Sequence, residues 1–152
     1  MCTLASIALP KFVRDRETFD FDELHAITKQ VVRNTNRLLD VAAYPSELCS
    51  TSNNNTRSIG VGVQGLADTF MALKMPYDSE AARNFNIEVF ETIYHAALEA
   101  SSELAKEQGP YPAWVGSPAS LGTLQVDMWP PTTPRRFDFS SIRSAVDRKS
   151  VV

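Results

Sequence analysis

Two thiols are the groups in this 152-residue sequence whose chemistry is most open to question: Cys2 and Cys49. Two cysteines cannot build a disulfide framework, so in a reducing compartment each is either inert or redox-active. Cys2 opens an apolar run, CTLASIAL, where a thiol is usually a small hydrophobic group. Cys49 lies in a polar segment in which the sequence reveals no partner. Composition alone therefore favours an inert Cys2 and leaves redox activity as the alternative.

The stretch GVGVQG, residues 60–65, has the glycine spacing of a loop that binds a dinucleotide pyrophosphate. Such a loop must follow a hydrophobic strand and open a helix, and here the preceding residues are NNNTRSI. Asp78 and Glu80 stand at a tolerable distance for a ribose contact, but a cap of the next helix explains them better. The pattern favours a structural turn over an NAD or FAD site. A nucleotide-cofactor oxidoreductase would need a strand before Gly60.

A third pattern combines carboxylates and imidazole at four-residue intervals. Its members are Glu91, His95, Glu99, Glu103 and Glu107. Di-metal helical bundles use Glu-x-x-His pairs, and this chain has none. We therefore expect a solvated or partly buried polar helix face and no metal ligands. His25, the only other histidine, is expected to be structural, without ligands nearby.

The elements that would position these residues can be read from periodicity. Residues 2–9 predict a strand buried on both faces, ended by Pro10, with Cys2, Leu4, Ser6 and Ala8 on one side. Asp20 and Glu23 resemble a helix cap. The helix they begin should extend to about residue 40, with an apolar stripe of Leu24, Ile27, Val31 and Leu38.

The remaining two thirds of the chain predict two more helices and three irregular segments. Residues 44–56 have turn composition and predict a surface loop. Helices are predicted over residues 65–74 and 79–108, the longer one stopped by Gly109 and Pro110. Its apolar stripe is Phe85, Val89, Ile93, Ala97, Ala100 and Leu104. The runs GPYPAWVGSPASLG and DMWPPTTPRRFDF predict ordered irregular segments packed on a larger body.

Bulk composition narrows the function classes. The chain is 43% hydrophobic and 22% charged, which is typical of a folded domain. Its net charge of −3 argues against nucleic acid as a partner. No apolar run approaches the ~18 to 20 residues that span a bilayer, and the start lacks the basic region of a secretory signal. We therefore expect a cytoplasmic protein with neither nucleic-acid nor membrane partners.

Four runs closely resemble the catalytic barrel domain of class I ribonucleotide reductase large subunits, most like the eukaryotic type. They are CTLASIALPKFV, FDFDELHAITKQVVRNTNRLLD, RSIGVGVQGLADTFMALKMPYDSEAARNFNIEVFETIYHAALEASSELAKEQGPY and GSPASLGTLQVDMW. The resemblance implies an α/β fold, namely part of a ten-stranded α/β barrel. This chain would supply one strand, several outer helices and their connections, so it should be mostly helical. GVGVQG then resembles a glycine-rich entry to a barrel helix.

The same resemblance implies the chemistry. In the family a cysteine thiyl removes the 3′ hydrogen of a ribonucleoside diphosphate, water leaves from C2′, and a cysteine pair supplies the reducing equivalents for deoxyribonucleotide synthesis. Cys2 matches one member of that pair, and Leu4 matches a position near the substrate pocket. The alternative from another class is a non-catalytic helical interaction or scaffold module derived from this barrel.

Cofactors and partners follow from the resemblance as well. We expect no cofactor bound by this chain; the family uses ATP and deoxynucleotide effectors and a metal-radical cofactor in its small subunit. Implied partners are that small subunit, thioredoxin or glutaredoxin, the ribonucleoside diphosphate, and a second large subunit. The partner cysteine and the thiyl-bearing cysteine are expected outside this sequence. The chain alone is therefore expected to be inactive, and to fold poorly because its one strand would lack neighbours.

The two chain ends carry separate expectations. Residues 1–146 match the family, whereas DRKSVV, residues 147–152, departs from it and is interpreted as a non-native tail. Met1 occupies a position inside a strand of the family and is interpreted as an internal methionine.

Overall fold

The computed structural model describes residues 2–130 and 136–146. In chain order the strands are β1 (Thr3–Ala8), β2 (Val13–Arg14), β3 (Thr18–Phe19) and β4 (Ile59–Gln64). The helices are α1 (Phe21–Val41), α2 (Glu47–Thr56), α3 (Leu66–Ala72), α4 (Glu80–Gln108) and α5 (Ser140–Val146). The chain is thus α/β and mostly helical, as the sequence predicts. The residues 147–152 interpreted as a non-native tail lie outside the described part.

The main sheet is a parallel pair of strands, β1 and β4. Their register runs from Thr3 opposite Ile59 to Ala8 opposite Gln64. The expectation of a single strand without neighbours is therefore wrong. Strand β4 was not predicted because two of its six residues are glycines. Glycine is a poor strand former and interrupts the apolar pattern by which a strand is recognised. Strands β2 and β3 form a separate two-residue antiparallel hairpin.

The expectation that β1 is buried on both faces is also wrong. Its exposure alternates, with Ile7 buried at 4% and Leu4 exposed at 76%. Helices cover one face of the sheet, and among the described residues no element covers the other. A continuous apolar run therefore does not by itself show that both faces are covered within the same chain.

Helices α1 and α4 start and stop where the sequence predicts. The Asp20 carboxylate accepts a hydrogen bond from the Glu23 backbone N–H at 2.9 Å, and the Ser79 hydroxyl accepts one from Ala82 at 3.1 Å. These caps satisfy backbone donors at the helix N-termini. Helix α4 ends at Gly109, whose φ of +88° favours glycine.

The apolar face of α4 forms the main core against the sheet and α1. Phe85, Val89 and Ile93 pack with Ile7 and Leu24 in one buried cluster. The predicted α4 stripe is therefore confirmed, apart from a half-buried Ala97.

The predicted stripe of α1 is only partly correct. Leu24 is buried and Val31 half-buried, but Ile27 and Leu38 are 41% and 49% exposed. Besides apolar residues, the helix buries Thr28 and Thr35, whose hydroxyls donate hydrogen bonds to carbonyls one turn earlier. Threonine can occupy a buried helix position when its hydroxyl is satisfied in this way.

Helix α2 replaces the loop predicted over residues 44–56. The Ser46 hydroxyl accepts a hydrogen bond from the Cys49 backbone N–H at 3.3 Å, and the helix ends at Arg57 with a left-handed φ of +47°. The helix buries Asn53 completely. Its Ser- and Asn-rich composition favours turns when isolated, so tertiary packing has overridden local preference.

Residues 109–130, the described part that follows α4, are irregular and contain short 3-10 turns, as predicted, whereas part of the second predicted segment, residues 131–135, lies outside the described residues. The described residues after α4 pack on its second half. The buried members of this second cluster are Leu98, Trp114, Leu124, Val126, Phe139 and Ile142. Among the described residues, no helix has the length and apolarity required to cross a membrane.

Candidate functional site

The open face of the β1–β4 sheet holds Cys2 and Leu4, two of the candidate site residues. Side chains alternate along a strand, and parallel partners share a face. Cys2, Leu4 and Ser6 therefore lie on the same side as Gly60 and Gly62. The expectation that these residues of the first strand share one side is confirmed.

The Cys2 thiol is accessible on this face. Cys2 is a free, exposed cysteine immediately before β1, and its Sγ lies 3.8 Å from the carbonyl oxygen of Thr3. A Cβ added at Gly60 would lie 3.6 Å from this sulfur. Because Gly60 has no side chain, strand β4 leaves space beside the Cys2 thiol.

The apolar side chain of Leu4 lies over the same glycine. A Cβ at Gly60 would approach Leu4 Cδ2 to 2.7 Å, closer than real Cβ contacts. Leu4 therefore depends on glycine at position 60 for its present placement. The structure brings Cys2, Leu4 and Gly60 together, whereas the sequence predicts a structural turn at Gly60 and not a position beside Cys2.

Cys49 lies outside this group. It is half-buried in the first turn of α2, and its sulfur accepts a hydrogen bond from the Ser46 hydroxyl at 3.3 Å. Both thiols are free. Cys49 therefore belongs to the helix cap rather than to the open face of the sheet.

The glycines of GVGVQG serve two structural purposes. Gly60 and Gly62 lie within β4, whereas Gly65 has φ +77° and begins α3. A Cβ at Gly65 would lie 2.6 Å from Pro10 Cδ, so close packing excludes a side chain. A dinucleotide loop places its glycines after the strand. This arrangement lacks the glycine placement of a dinucleotide loop and confirms the entry to a helix.

A seam of ion pairs joins α1 to α4. Lys29 Nζ lies 2.7 Å from Glu103 and 3.2 Å from Glu99, while Arg33 lies 2.8 Å from Glu103 and 3.1 Å from Glu107. Residue numbers rise together along the seam, so the two helices run parallel. The acidic half of this seam was predicted as a polar helix face, but the basic half on α1 was not predicted. The signal was His25, Lys29 and Arg33 at the same four-residue spacing.

The seam shifts the ionisation of its members. Partial burial alone would raise the pKa of Glu103, but hydrogen bonds from Lys29 and Arg33 outweigh it and hold that pKa below its ordinary value. Burial alone would lower the pKa of Lys29, yet its bonds to Glu103 and Glu99 raise it. Both groups therefore stay charged at neutral pH.

Two histidines meet at the amino-terminal end of the seam. His25 Nε2 lies 3.0 Å from His95 Nδ1 and 3.5 Å from Glu99 Oε2. The expectation that His25 has no ligands nearby is therefore wrong. Burial lowers the pKa of both histidines, and the Glu99 charge opposes this effect. The His95 ring is held in place by stacking on Phe137, with ring centroids 4.2 Å apart.

Glu91 differs from the other acidic residues of the four-residue series. It is 1% exposed and accepts hydrogen bonds from the backbone N–H groups of Arg136 and Phe137 at 2.9 to 3.1 Å. Through these bonds Glu91 holds the segment that begins at Arg136 against α4. The predicted solvated or partly buried polar face of α4 does not include Glu91, because Glu91 is fully buried.

Comparison with known proteins adds a family match. The profile of the ribonucleotide reductase barrel domain matches residues 1–151. A ribonucleoside-diphosphate reductase large chain of Neurospora crassa is 50% identical over 152 residues, which cover 99% of this chain and 16% of that protein. A large chain of Cryptosporidium parvum is 55% identical over 130 residues, covering 85% of this chain and 16% of that protein. A large subunit of Danio rerio is 44% identical, covering 99% and 19%.

Proposed function

This chain belongs to the ribonucleotide reductase barrel-domain family, and we propose from this membership that it forms part of a ribonucleoside-diphosphate reductase large subunit. The chain spans about a fifth or less of the length of the curated relatives it matches. Its parallel strands β1 and β4 would be neighbouring strands of a ten-stranded α/β barrel, with the helices outside. The open face of the sheet would then face the barrel interior.

Cys2 would be one of two thiols that reduce the ribose. Overall, a ribonucleoside diphosphate and two thiols give a deoxyribonucleoside diphosphate, one disulfide and water. The two thiols supply the two electrons and two hydrogens that the substrate needs. The disulfide requires a partner cysteine whose Cα lies about 5.5 Å away, a spacing that a neighbouring strand provides.

The observation that carries this proposal is the geometry around Cys2. The thiol is exposed on the uncovered face of the sheet, beside a glycine that leaves room for a substrate or a second sulfur. Leu4 on the same face would contact the substrate without taking part in the chemistry. A cysteine retained only as a core residue would instead be buried.

Cysteine number limits what the 152-residue chain can do alone. The reaction needs a thiyl-forming cysteine as well as the redox pair, whereas this chain has two cysteines and one of them, Cys49, lies on α2. We therefore expect no reductase turnover from the chain with added small subunit and dithiol. Measured deoxynucleotide formation under those conditions would contradict this expectation.

Partners and cofactors follow from the proposed role. The substrate would be a ribonucleoside diphosphate, the radical would come from a small subunit with its metal-radical cofactor, and thioredoxin or glutaredoxin would restore the thiols. ATP and deoxynucleotide effectors, and pairing of two large subunits, would depend on other parts of the large subunit. A cytoplasmic location suits these reducing partners.

The proposal is tested in a chimera. Residues 2–146 replace the matching segment of the Neurospora crassa large chain, and ribonucleoside diphosphate reduction is assayed with small subunit and dithiol. We expect turnover in the chimera, loss of turnover to background in Cys2→Ser, and unchanged turnover in the control Cys49→Ser.

Two other outcomes would favour a different role. If Cys2→Ser retains turnover, Cys2 is not a member of the redox pair. If the correctly folded chimera has no turnover even with Cys2 intact, the alternative of a non-catalytic helical interaction module becomes the better interpretation. Circular dichroism and subunit association of the chimera show whether it is folded.

A further inference from the structure

The His25, His95 and Glu99 cluster lies on the α1–α4 seam and takes no part in the proposed reductase chemistry. Its three potential ligand atoms all lie within 4.8 Å of one another. His95 and Glu99 stand one turn apart on α4, and His25 faces them from α1. Two packed helices therefore bring two imidazole nitrogens and one carboxylate oxygen to a common point.

We propose that these three side chains form a binding site for a divalent transition metal of the zinc type. Zinc bonds of 2.0 to 2.2 Å in tetrahedral geometry separate ligand atoms by about 3.3 Å. In the structure His25 Nε2 lies 3.0 Å from His95 Nδ1 and 3.5 Å from Glu99 Oε2, one separation on either side of that value.

The donor set selects the metal class. Imidazole suits zinc, copper, iron and nickel, whereas calcium and magnesium require oxygen ligands. Two histidines and one carboxylate also leave a fourth position for water, as in open zinc sites. The Glu99 side chain is 39% exposed, so its carboxylate has room to turn toward the imidazoles and solvent can reach the site.

One neighbouring side chain orients a ligand of the site, and another competes with a metal ion for the carboxylate. Phe137 stacks on the His95 ring and fixes its orientation. Lys29 Nζ lies 3.2 Å from the same Glu99 oxygen that faces His25, so its positive charge competes with a cation for that carboxylate. Because Lys29 also bonds Glu103 at 2.7 Å, it keeps a partner when Glu99 binds metal.

Zinc titration tests the site without any reductase assay. The full chain with Cys2→Ser and Cys49→Ser, which removes competing thiols, is titrated with zinc chloride by calorimetry. We expect one equivalent to bind and the melting temperature to rise by about 5 to 10 °C at zinc concentrations 100-fold above the Kd. His95→Gln and Glu99→Gln should each weaken binding at least about tenfold.

Two further variants separate a metal site from a structural polar cluster. Lys29→Gln should bind zinc several-fold more tightly because the competing charge is gone, although it removes ion pairs of the seam. Glu107→Gln, two turns beyond Glu99 and bonded to Arg33, should bind zinc like the parent chain. If the isolated chain does not fold, the same titrations are made on the Neurospora chimera against the unmodified Neurospora protein.

The proposal is overturned if the folded parent chain shows no saturable zinc binding, or if His95→Gln binds zinc as tightly as the parent. Because the readout is metal binding, its failure leaves the proposed reductase role untouched. Conversely, an inactive chimera that still binds one zinc would contradict the reductase proposal and leave the zinc-site proposal standing.

Discussion

At the scale of single residues, the glycines of β4 decide how the open face of the sheet is shaped. A side chain at Gly60 would press on Leu4 at 2.7 Å and approach the Cys2 sulfur at 3.6 Å. A side chain at Gly62 would find Ser6 Oγ at 3.5 Å, an ordinary contact. A side chain at position 60 would therefore disturb its neighbours, whereas one at position 62 would fit, although both glycines lie in β4.

Gly60→Ala should lower turnover of the chimera by up to about 100-fold, since displacement of groups beside a reacting thiol by about 1 Å has effects of that size. The unfolding free energy should change by less than about 1 kcal/mol, because Leu4 is an exposed, flexible side chain. Steady-state kinetics and thermal melting measure the two effects.

Gly62→Ala provides the matched control, with the same chemical change two residues along the strand. It should lower turnover far less than Gly60→Ala does. Equal losses in both variants would show that strand backbone, rather than the space beside Cys2, determines the effect.

At the scale of elements, the parallel helices α1 and α4 are held by both an apolar core and the ion-pair seam. Lys29 and Arg33 face Glu103 from α1, and Glu99 and Glu107 lie one turn to either side of it on α4. Because Glu103 accepts from two cations while only a third of its side chain is exposed, it is the central carboxylate of the seam.

Acid should weaken this seam through Glu103. The pKa of Glu103 is lower in the folded chain than its ordinary value of 4.5, so the unfolded chain takes up a proton first as the pH falls. Its stabilisation is therefore fully present above about pH 5 and is lost as the pH falls through 4.5 and below the folded pKa.

Glu103→Gln measures this contribution by denaturant unfolding at several pH values. At pH 6 to 7 the variant should be about 0.5 to 1 kcal/mol less stable than the parent, and the difference should shrink as the pH falls below 4. Glu107→Gln, which is more exposed, should show a smaller effect. A difference that does not change with pH would mean that Glu103 contributes by packing alone.

The elements also show what local sequence could and could not predict. The caps at Asp20 and Ser79 and the stop at Gly109 fixed the bounds of α1 and α4 because they act through neighbouring backbone groups. Strand β4 and helix α2 were missed because each depends on distant partners: β4 on β1, and α2 on the turn at Pro112–Trp114. The candidate sites show the same difference. That Cys2 and Leu4 share one face follows from their spacing along one strand and could be predicted, whereas the contact of His25 with His95 joins two distant helices and could not.

At the scale of the whole molecule, stability is unevenly distributed. The two long helices share one core with the covered face of the sheet. Within residues 2–130 and 136–146, the outer edges of β1 and β4 pair with no further strand of the main sheet. Unpaired edges expose backbone donors and acceptors that would otherwise be protected.

Hydrogen exchange should report this difference. In the 152-residue chain we expect amides of α4 around Val89 and Ile93 to exchange much more slowly than those of β1 and β4. Helix amides are paired within the helix, whereas each of these strands has one neighbour in the described part of the chain. Mass spectrometry of peptides from each element measures the rates. Equal protection of strands and helices would show that another chain covers the open edges.

The parallel pairing of β1 with β4 also sets an order of events during synthesis. The register joins Thr3 to Ile59, so the first strand leaves the ribosome well before its partner exists. At elongation rates of 5 to 20 residues per second, the wait is roughly 3 to 11 s. Helix α1 emerges within that interval and can cover the apolar side of β1. The Cys2 thiol therefore exists in the nascent chain for seconds before Gly60, which lies beside it in the folded chain, has been synthesised.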